Sequence, residues 1–439
     1  MKKTLLLSVI ASTMIMAGGD IAPVEPEVEA PIAETSGWDF SGQAVLYYQT
    51  VDSTASDVYA ETDLFSQEGS VADAGIQLRA VNKDLFAGVG VGVEVSGLST
   101  LNLENSVVSG VMQGTGSGDI DDMTDGGWIS QMYLTYSVDN TSFKAGRQEL
   151  PKALSPFAFS EGWNVFKNTF DAVLAVNTDI ENTTLVYAWV YGGNSSVGNV
   201  TDFNDFNDND GIHMLTAQNK SFSNLTLTGS WYYAPDLVSN TLGVASGDTN
   251  ILWGDAKYNA DSFYVSLQGG AVWLDTNGAE DTGAFGAKIG GKVGMFDLSL
   301  AYSNVNNSAV GVFNTGGVKT PLYTQMILNQ DFIKIDSDTF VARVGVKALG
   351  GKLGLAYNYS DYGLATNSVN YYLGSNRFAG DDEGTYQELD LTYKTKVFND
   401  TTTVFAGYIY RTLDVDSAYW APIDEYDQNV LRFWARYNF

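Results

Sequence analysis

From Gly37 to Phe439 the chain repeats with a period of two. In Leu85–Val95 the residues Leu85, Ala87, Val89, Val91, Val93 and Val95 are apolar, and between them lie Phe86, Gly88, Gly90, Gly92 and Glu94. Phe340–Ala348 sets Phe340, Ala342, Val344, Val346 and Ala348 against Val341, Arg343, Gly345 and Lys347. Leu431–Phe439 sets Leu431, Phe433, Ala435, Tyr437 and Phe439 against Arg432, Trp434, Arg436 and Asn438. Successive side chains of a strand point to opposite faces, so these are strands with one apolar face and one polar or small face. Helical periodicity is missing, which makes the chain all-β. Such a pattern fits a soluble sheet sandwich or a closed membrane barrel.

Connection lengths separate the two. Short turns fall near Asn82-Lys83-Asp84, Asp139-Asn140, Asp179–Asn182, Asn219–Asn224, Asn259–Asp261, Lys292–Gly294, Gly350-Gly351 and Asn399-Asp400. Long polar connections lie near 52–70, 99–126, 149–167, 193–210, 235–250, 275–282, 305–336, 363–384 and 413–426. The two kinds alternate strictly, giving about eighteen strands with both ends on one side, the layout of a transmembrane antiparallel β-barrel. Pro151, Pro156, Pro235, Pro321 and Pro422 all fall in long connections. A strand ladder cannot use proline as a donor, so a closed barrel requires this placement. Aromatics recur at strand ends, as in Trp38 and Phe40, Trp231-Tyr232-Tyr233, Tyr357 and Tyr359, and Tyr408 and Tyr410, where membrane-interface girdles would sit. The mean hydropathy of −0.08 looks soluble only because apolar and polar faces cancel.

Composition removes several functions. The chain has no cysteine, which excludes thiolate zinc sites, iron–sulfur clusters, a catalytic thiol and disulfides. Its net charge of −29 argues against nucleic acid, which needs a basic face. The single histidine, His213, reads as an ordinary rim residue, because a barrel hydrolase would pair it with a nucleophile or carboxylates. No enzyme is expected.

The first residues form a separate unit. Met1-Lys2-Lys3, the apolar run Leu5–Met16 and the small residues Ala17-Gly18-Gly19 have the three-part layout of a secretory signal peptide, 1–19. Residues 20–36 hold Pro23, Pro26 and Pro31 with Asp20, Glu25, Glu27, Glu29 and Glu34 and no base, the composition of an extended, solvated linker. The barrel is then 37–439.

The chain ends on Phe439, with Tyr437 two residues earlier on the apolar face. This resembles the terminal signal read by the insertion machinery for outer-membrane barrels of Gram-negative bacteria, and implies residence in that outer membrane, in contact with its lipid. Phe143-Lys144-Ala145-Gly146-Arg147-Gln148-Glu149-Leu150-Pro151, running on to Asn168-Thr169-Phe170-Asp171, resembles the Gly-Arg-Gln … Asn-Thr-Phe region of eighteen-stranded porins of the OprD type. With Tyr133-Leu134-Thr135-Tyr136 upstream it is also similar to the major outer-membrane porins of Campylobacter and its relatives. The resemblance implies a homotrimeric diffusion channel whose third long loop, Glu149–Lys167, folds inward. Lys152, Glu161 and Lys167 are then expected at the constriction.

About eighteen strands enclose a water-filled channel, and the short segment before the first strand leaves no room for a plug domain. Alternation puts Arg79, Glu94, Lys144, Asp171, Lys257, Lys288, Arg343, Lys347, Glu388, Lys394, Arg432 and Arg436 on the water side, mixed in sign with bases slightly ahead. The long loops are acidic: Asp119, Asp121, Asp122 and Asp125; Asp202, Asp205, Asp208 and Asp210; Asp381-Asp382-Glu383; Asp424-Glu425. An acidic mouth concentrates cations. Asp205, Asp208 and Asp210 also offer hard oxygen ligands of the kind that suit Ca²⁺, although the spacing departs from the twelve-residue loop. The expectation is a passive outer-membrane porin for ions and small hydrophilic solutes, cation-preferring and without a cofactor. The alternatives are a substrate-specific channel for amino acids or small carboxylates, and a surface adhesin or structural barrel.

Overall fold

The computed structural model describes residues 37–54, 61–115, 125–207, 210–236, 247–275, 280–306, 308, 310–364, 382–416 and 423–439. The signal peptide, the linker, Asp119, Asp121, Asp122, Asp208, Asp381 and Pro422 lie outside the described residues.

The strands are β1 (Trp38–Ser53), β2 (Ser70–Phe86), β3 (Val89–Ser99), β4 (Asp125–Val138), β5 (Thr141–Gln148), β6 (Phe170–Asn177), β7 (Thr183–Asn194), β8 (Phe203–Asp205), β9 (Ile212–Asn219), β10 (Leu225–Ala234), β11 (Thr249–Asn259), β12 (Phe263–Leu274), β13 (Thr282–Val293), β14 (Phe296–Val305), β15 (Ser337–Ala348), β16 (Gly351–Leu364), β17 (Asp382–Val397), β18 (Thr402–Asp416) and β19 (Ile423–Asn438). Every pairing between them is antiparallel. The sheet closes because β1 pairs with β2 on one side and β19 on the other, with Tyr47 opposite both Asp73 and Trp434. Two strands share the same edge of β7. Residues 183–190 pair with β9, and Gly192–Asn194 pair with β8. They form one interrupted stave, so nineteen strands make an eighteen-stave barrel.

The start of β1, Trp38, and the end of β19, Asn438, both lie at the rim of the short turns. Two turns there have both central residues at positive φ: Ala87 (50°) with Gly88 (82°), and Leu349 (54°) with Gly350 (77°). That is the turn whose twist matches the right-handed twist of its strands. Expecting the first turn at Asn82-Lys83-Asp84 placed it too early. β2 runs on to Phe86 through a register irregularity between Asn82 and Phe86, and the polar residues sit in that irregularity.

The outer wall is apolar, with Leu46, Leu78, Leu134, Leu252, Leu300 and Leu355 exposed on it. Trp38, Phe40, Phe86, Phe263, Phe296, Phe398, Tyr437 and Phe439 ring the short-turn rim, and Tyr187, Trp231, Trp273, Phe340, Tyr357 and Tyr359 ring the other. Tyr232 is not one of them: it points inward and is buried. An apolar surface of this extent is the face a barrel presents to hydrocarbon between two aromatic girdles. The packed clusters lie inside, between the wall and the long connections that fold into the lumen.

Candidate pore constriction

The connection after β5 is too apolar for a solvated loop. Leu150, Leu154, Phe157, Phe159, Trp163, Val165 and Phe166 are all buried. Burying each such side chain is worth about 1.5–3 kcal/mol, and the inner wall is where that surface is available. Phe157 meets Tyr232 and Trp253 edge-on, at 5.7 and 5.2 Å between ring centroids. Its N–H donates to the Tyr232 hydroxyl at 3.2 Å. On the far side Phe166 packs against Trp128 at 6.1 Å and lies over Gly75, where a Cβ would come within 2.6 Å of the ring. Gln113 clasps Phe166 by both backbone groups, each at 2.9 Å. Arg436 of β19 donates to the Val165 carbonyl at 2.9 Å. The loop therefore crosses the lumen from β10–β11 to β2, β4 and β19.

A second connection, after β14, meets it. Asn314 exchanges two hydrogen bonds of 2.7 Å with the Phe159 backbone. Lys152 donates to the Thr320 carbonyl at 3.0 Å. Lys319 donates to the Met326 and Ile327 carbonyls, both at 2.8 Å. Arg343 of β15 holds the Tyr323 and Gln325 carbonyls, and Glu388 of β17 accepts from the Leu328 N–H at 2.9 Å. The Tyr323 hydroxyl donates to Asp255, and burial together with that carboxylate pushes its pKa well up, so it stays a donor. Sequence reasoning left this segment as one more polar loop. Its signal was the apolar density of Val310, Val312, Val318, Leu322, Met326, Ile327, Leu328 and Ile333.

Glu161 ties these segments together. Its carboxylate accepts from Trp163 Nε1 (2.7 Å), Ser196 Oγ (2.8 Å), Asn314 Nδ2 (2.9 Å), Val318 N (3.1 Å) and Lys319 N (2.7 Å). It is 2% exposed. Glu161 was expected at the constriction; within that inward loop it is a buried latch, because these donors use its oxygens. Lys152 and Lys167 are half-buried, the first over the Phe159 ring at 5.0 Å, the second paired with Glu149 at 2.6 Å.

Register places the remaining charges. Arg79 lies opposite Glu94 and donates to the Tyr133 hydroxyl at 2.9 Å, and Lys144 lies over the Tyr133 ring at 3.8 Å. Arg432 donates to Gln49 at 2.9 Å. Arg343, Lys257 and Lys152 lie within Coulombic reach of Lys288. Lys347, Lys352 and Lys394 form a row of directly opposite cross-strand partners on β15, β16 and β17. Asp171 departs from the expectation. It stands on the outer side opposite Arg147, in an ion pair of 2.9 Å, while its neighbours Phe170 and Ala172 take the inner positions and are fully buried. Asp205 and Asp210 are exposed, and no group of acids or His among the described residues is arranged to hold a metal ion. His213 also faces outward, its Nδ1 3.0 Å from the Tyr187 hydroxyl.

No family profile matches the sequence, and no curated relative does. Solved structures do. Pseudomonas aeruginosa OpdK, determined with vanillate, superposes with a TM-score of 0.66 at 13% identity, covering 91% of this chain and 99% of that one. The chain has the fold of the OprD-type porins. Pseudomonas aeruginosa OpdQ gives 0.64 at 15% identity over 92% and 97% of the two chains. Acinetobacter baumannii OccAB2 gives 0.63 at 13% identity over 91% and 98%.

Proposed function

We propose that this chain is a passive channel for small hydrophilic solutes in a Gram-negative outer membrane, selective for small organic anions such as carboxylates. The observation that carries this reading is the charge of the wall between the inward loops and the short-turn rim. Arg79, Lys144, Lys257, Lys288, Lys292, Arg343, Lys347, Lys352, Lys394, Lys396 and Arg436 occupy inward register positions there, against fewer acids, Asp39, Glu94, Asp255, Asp297 and Asp390. A lumen lined this way lowers the cost of bringing a carboxylate through a narrow passage. The likeness to a structure that holds vanillate, an aromatic carboxylate, agrees with it. The protein acts as a pore, not an enzyme, and works as a homo-oligomer. The leader, 1–19, delivers it across the inner membrane.

A second reading, the cation-preferring general pore, is favoured by the acidic long-loop rim. Reversal potential in a tenfold KCl gradient decides between them. Chloride preference at low and high mean salt, with block by millimolar benzoate, is the expected result. Potassium preference at both would establish the second reading. A folded barrel without conductance would leave the adhesin or structural role.

A further inference from the structure

The inward connections press on the wall from every side of the lumen. Trp163 and Phe166 share one packed cluster with Tyr47 of β1, Leu98 of β3 and Trp434 of β19. Leu154 and Phe157 share another with Ala188 of β7 and Trp253 of β11. Met326 packs with Ala301, Val341 and Ala356 on β14, β15 and β16, and the Leu328 N–H donates to Glu388 of β17. Ile327 joins the cluster that holds Ile409 of β18. All of these wall residues are buried, and so is the seam between the two connections at Phe159, Glu161 and Asn314. Side chains beside a water-filled passage are wetted. Among the described residues, then, the lumen is shut at this height.

The two connections are not held alike. That after β5 is pinned by aromatic packing at both ends, Phe157 against Tyr232 and Trp253, Phe166 against Trp128. That after β14 is a flap closed at its neck, where the Val312 N–H donates to the Lys334 carbonyl at 2.7 Å and Val312 and Ile333 are buried. Beyond the neck it meets β11 and β14–β17 mainly through hydrogen bonds: Arg343 to two carbonyls, Tyr323 to Asp255, Asn329 to Asn358. Its apolar contact on β14–β16 is one flexible side chain, Met326. Water takes over hydrogen bonds as a segment lifts, so each is worth little net, whereas apolar packing is lost outright. Gly316, at φ 69°, and Gly317 beside it supply a turning point where the flap leaves Glu161.

We infer that the structure is the shut state of a gated channel and that residues 313–333 are its gate. The pore opens when this flap swings off β14–β17 about its neck, while the connection after β5 stays in place. This rests on the channel reading and adds the movement that must precede conduction. Single-channel records should then step between shut and open levels, on the microsecond-to-second scale of lid motions.

The chain has no cysteine, so a lock can be introduced at one chosen place. Ser303 of β14 and Thr324 of the flap are both buried, with their hydroxyls 2.6 Å apart. Ser303→Cys with Thr324→Cys should oxidise to a disulfide that fastens the flap to the wall, followed as loss of titratable thiol in the folded barrel. In planar bilayers the reduced variant is expected to conduct, the oxidised one to lose most of that conductance, and added reductant to restore it. Equal conductance before and after complete oxidation would overturn the inference and leave the channel reading standing. Thr324→Cys alone gives a second measurement that needs no disulfide. Its thiol is buried in the shut state, so a charged methanethiosulfonate reagent should reach it only during openings and should hold the channel open afterwards. Conducting channels in which this thiol never reacts would equally overturn the gate. Absence of conductance from correctly folded wild-type barrel would defeat both readings.

Discussion

Glu161 shows what a single residue does in this lumen. Two carboxylate oxygens accept five hydrogen bonds from three chain segments, and the residue is buried. Leaving buried donors unmade costs about 1–3 kcal/mol each, so Glu161→Ala removes the force that holds the segments together. The barrel wall does not depend on it. Glu161→Ala is expected to keep the heat-modifiable barrel while single-channel conductance rises and becomes noisier, and Glu161→Gln, which keeps one acceptor, to fall between. Unchanged conductance in a folded Glu161→Ala barrel would refute the latch. Phe157→Ala provides a second check on the same loop. It vacates the contact with Tyr232 and Trp253, costs about 3–5 kcal/mol, and should free the loop from the β10–β11 wall. That change would be read as new proteolytic cleavage within 149–169 of intact barrels.

At the scale of elements the last strand closes the sheet. Phe439 exchanges backbone hydrogen bonds of 2.8 and 3.0 Å with Gly42, and its ring lies 5.6 Å from Tyr437 on the outer face. Deleting it removes the final rung between β1 and β19 and shortens the terminal apolar face. The amount of heat-modifiable barrel in outer-membrane fractions should drop severalfold, and unchanged levels at high expression would count against the assembly role. The strands themselves were legible because a barrel wall divides hydrocarbon from water at every second residue, as in Arg343 against Phe340. Connections obey no such rule. The connection after β14 contains Asn314, Lys319, Thr320 and Asn329, which look solvated in sequence but are buried, because each bonds another segment inside the barrel through its side chain or backbone. Asp171 was misplaced for a related reason. β6 follows an inward loop, and its phase is set by Phe170 and Ala172 packing beneath that loop rather than by its own charge pattern.

For the whole molecule the wall is uneven in height. β5 and β6 have 8 residues each, whereas β1, β17 and β19 have 16. At about 3.3 Å per residue and a tilt near 40°, an 8-residue stave rises roughly 20 Å, less than the ~25 Å apolar band of an outer-membrane barrel. The same face carries the outward ion pair of Arg147 and Asp171, with Phe203 stacked on the guanidinium 3.2 Å away. Exposed to hydrocarbon, that pair would be costly, and side chains on the lipid face of the taller staves are apolar instead. In the homo-oligomer proposed above, this low wall with its ion pair is the face that neighbouring copies arranged about a closed symmetry axis would cover. Outward Leu134 and Val173 flank the pair. The expected outcome is that the detergent-extracted wild type sediments as an oligomer and that Leu134→Arg with Val173→Arg sediments as monomer, while each barrel keeps its heat-modifiable shift. The same double substitution placed on the tall face, at Leu355 and Phe433, should leave the oligomer intact. Analytical ultracentrifugation in a density-matched detergent reads the outcome. An oligomer unaffected by the first pair and broken by the second would move the contact to the opposite side of the barrel.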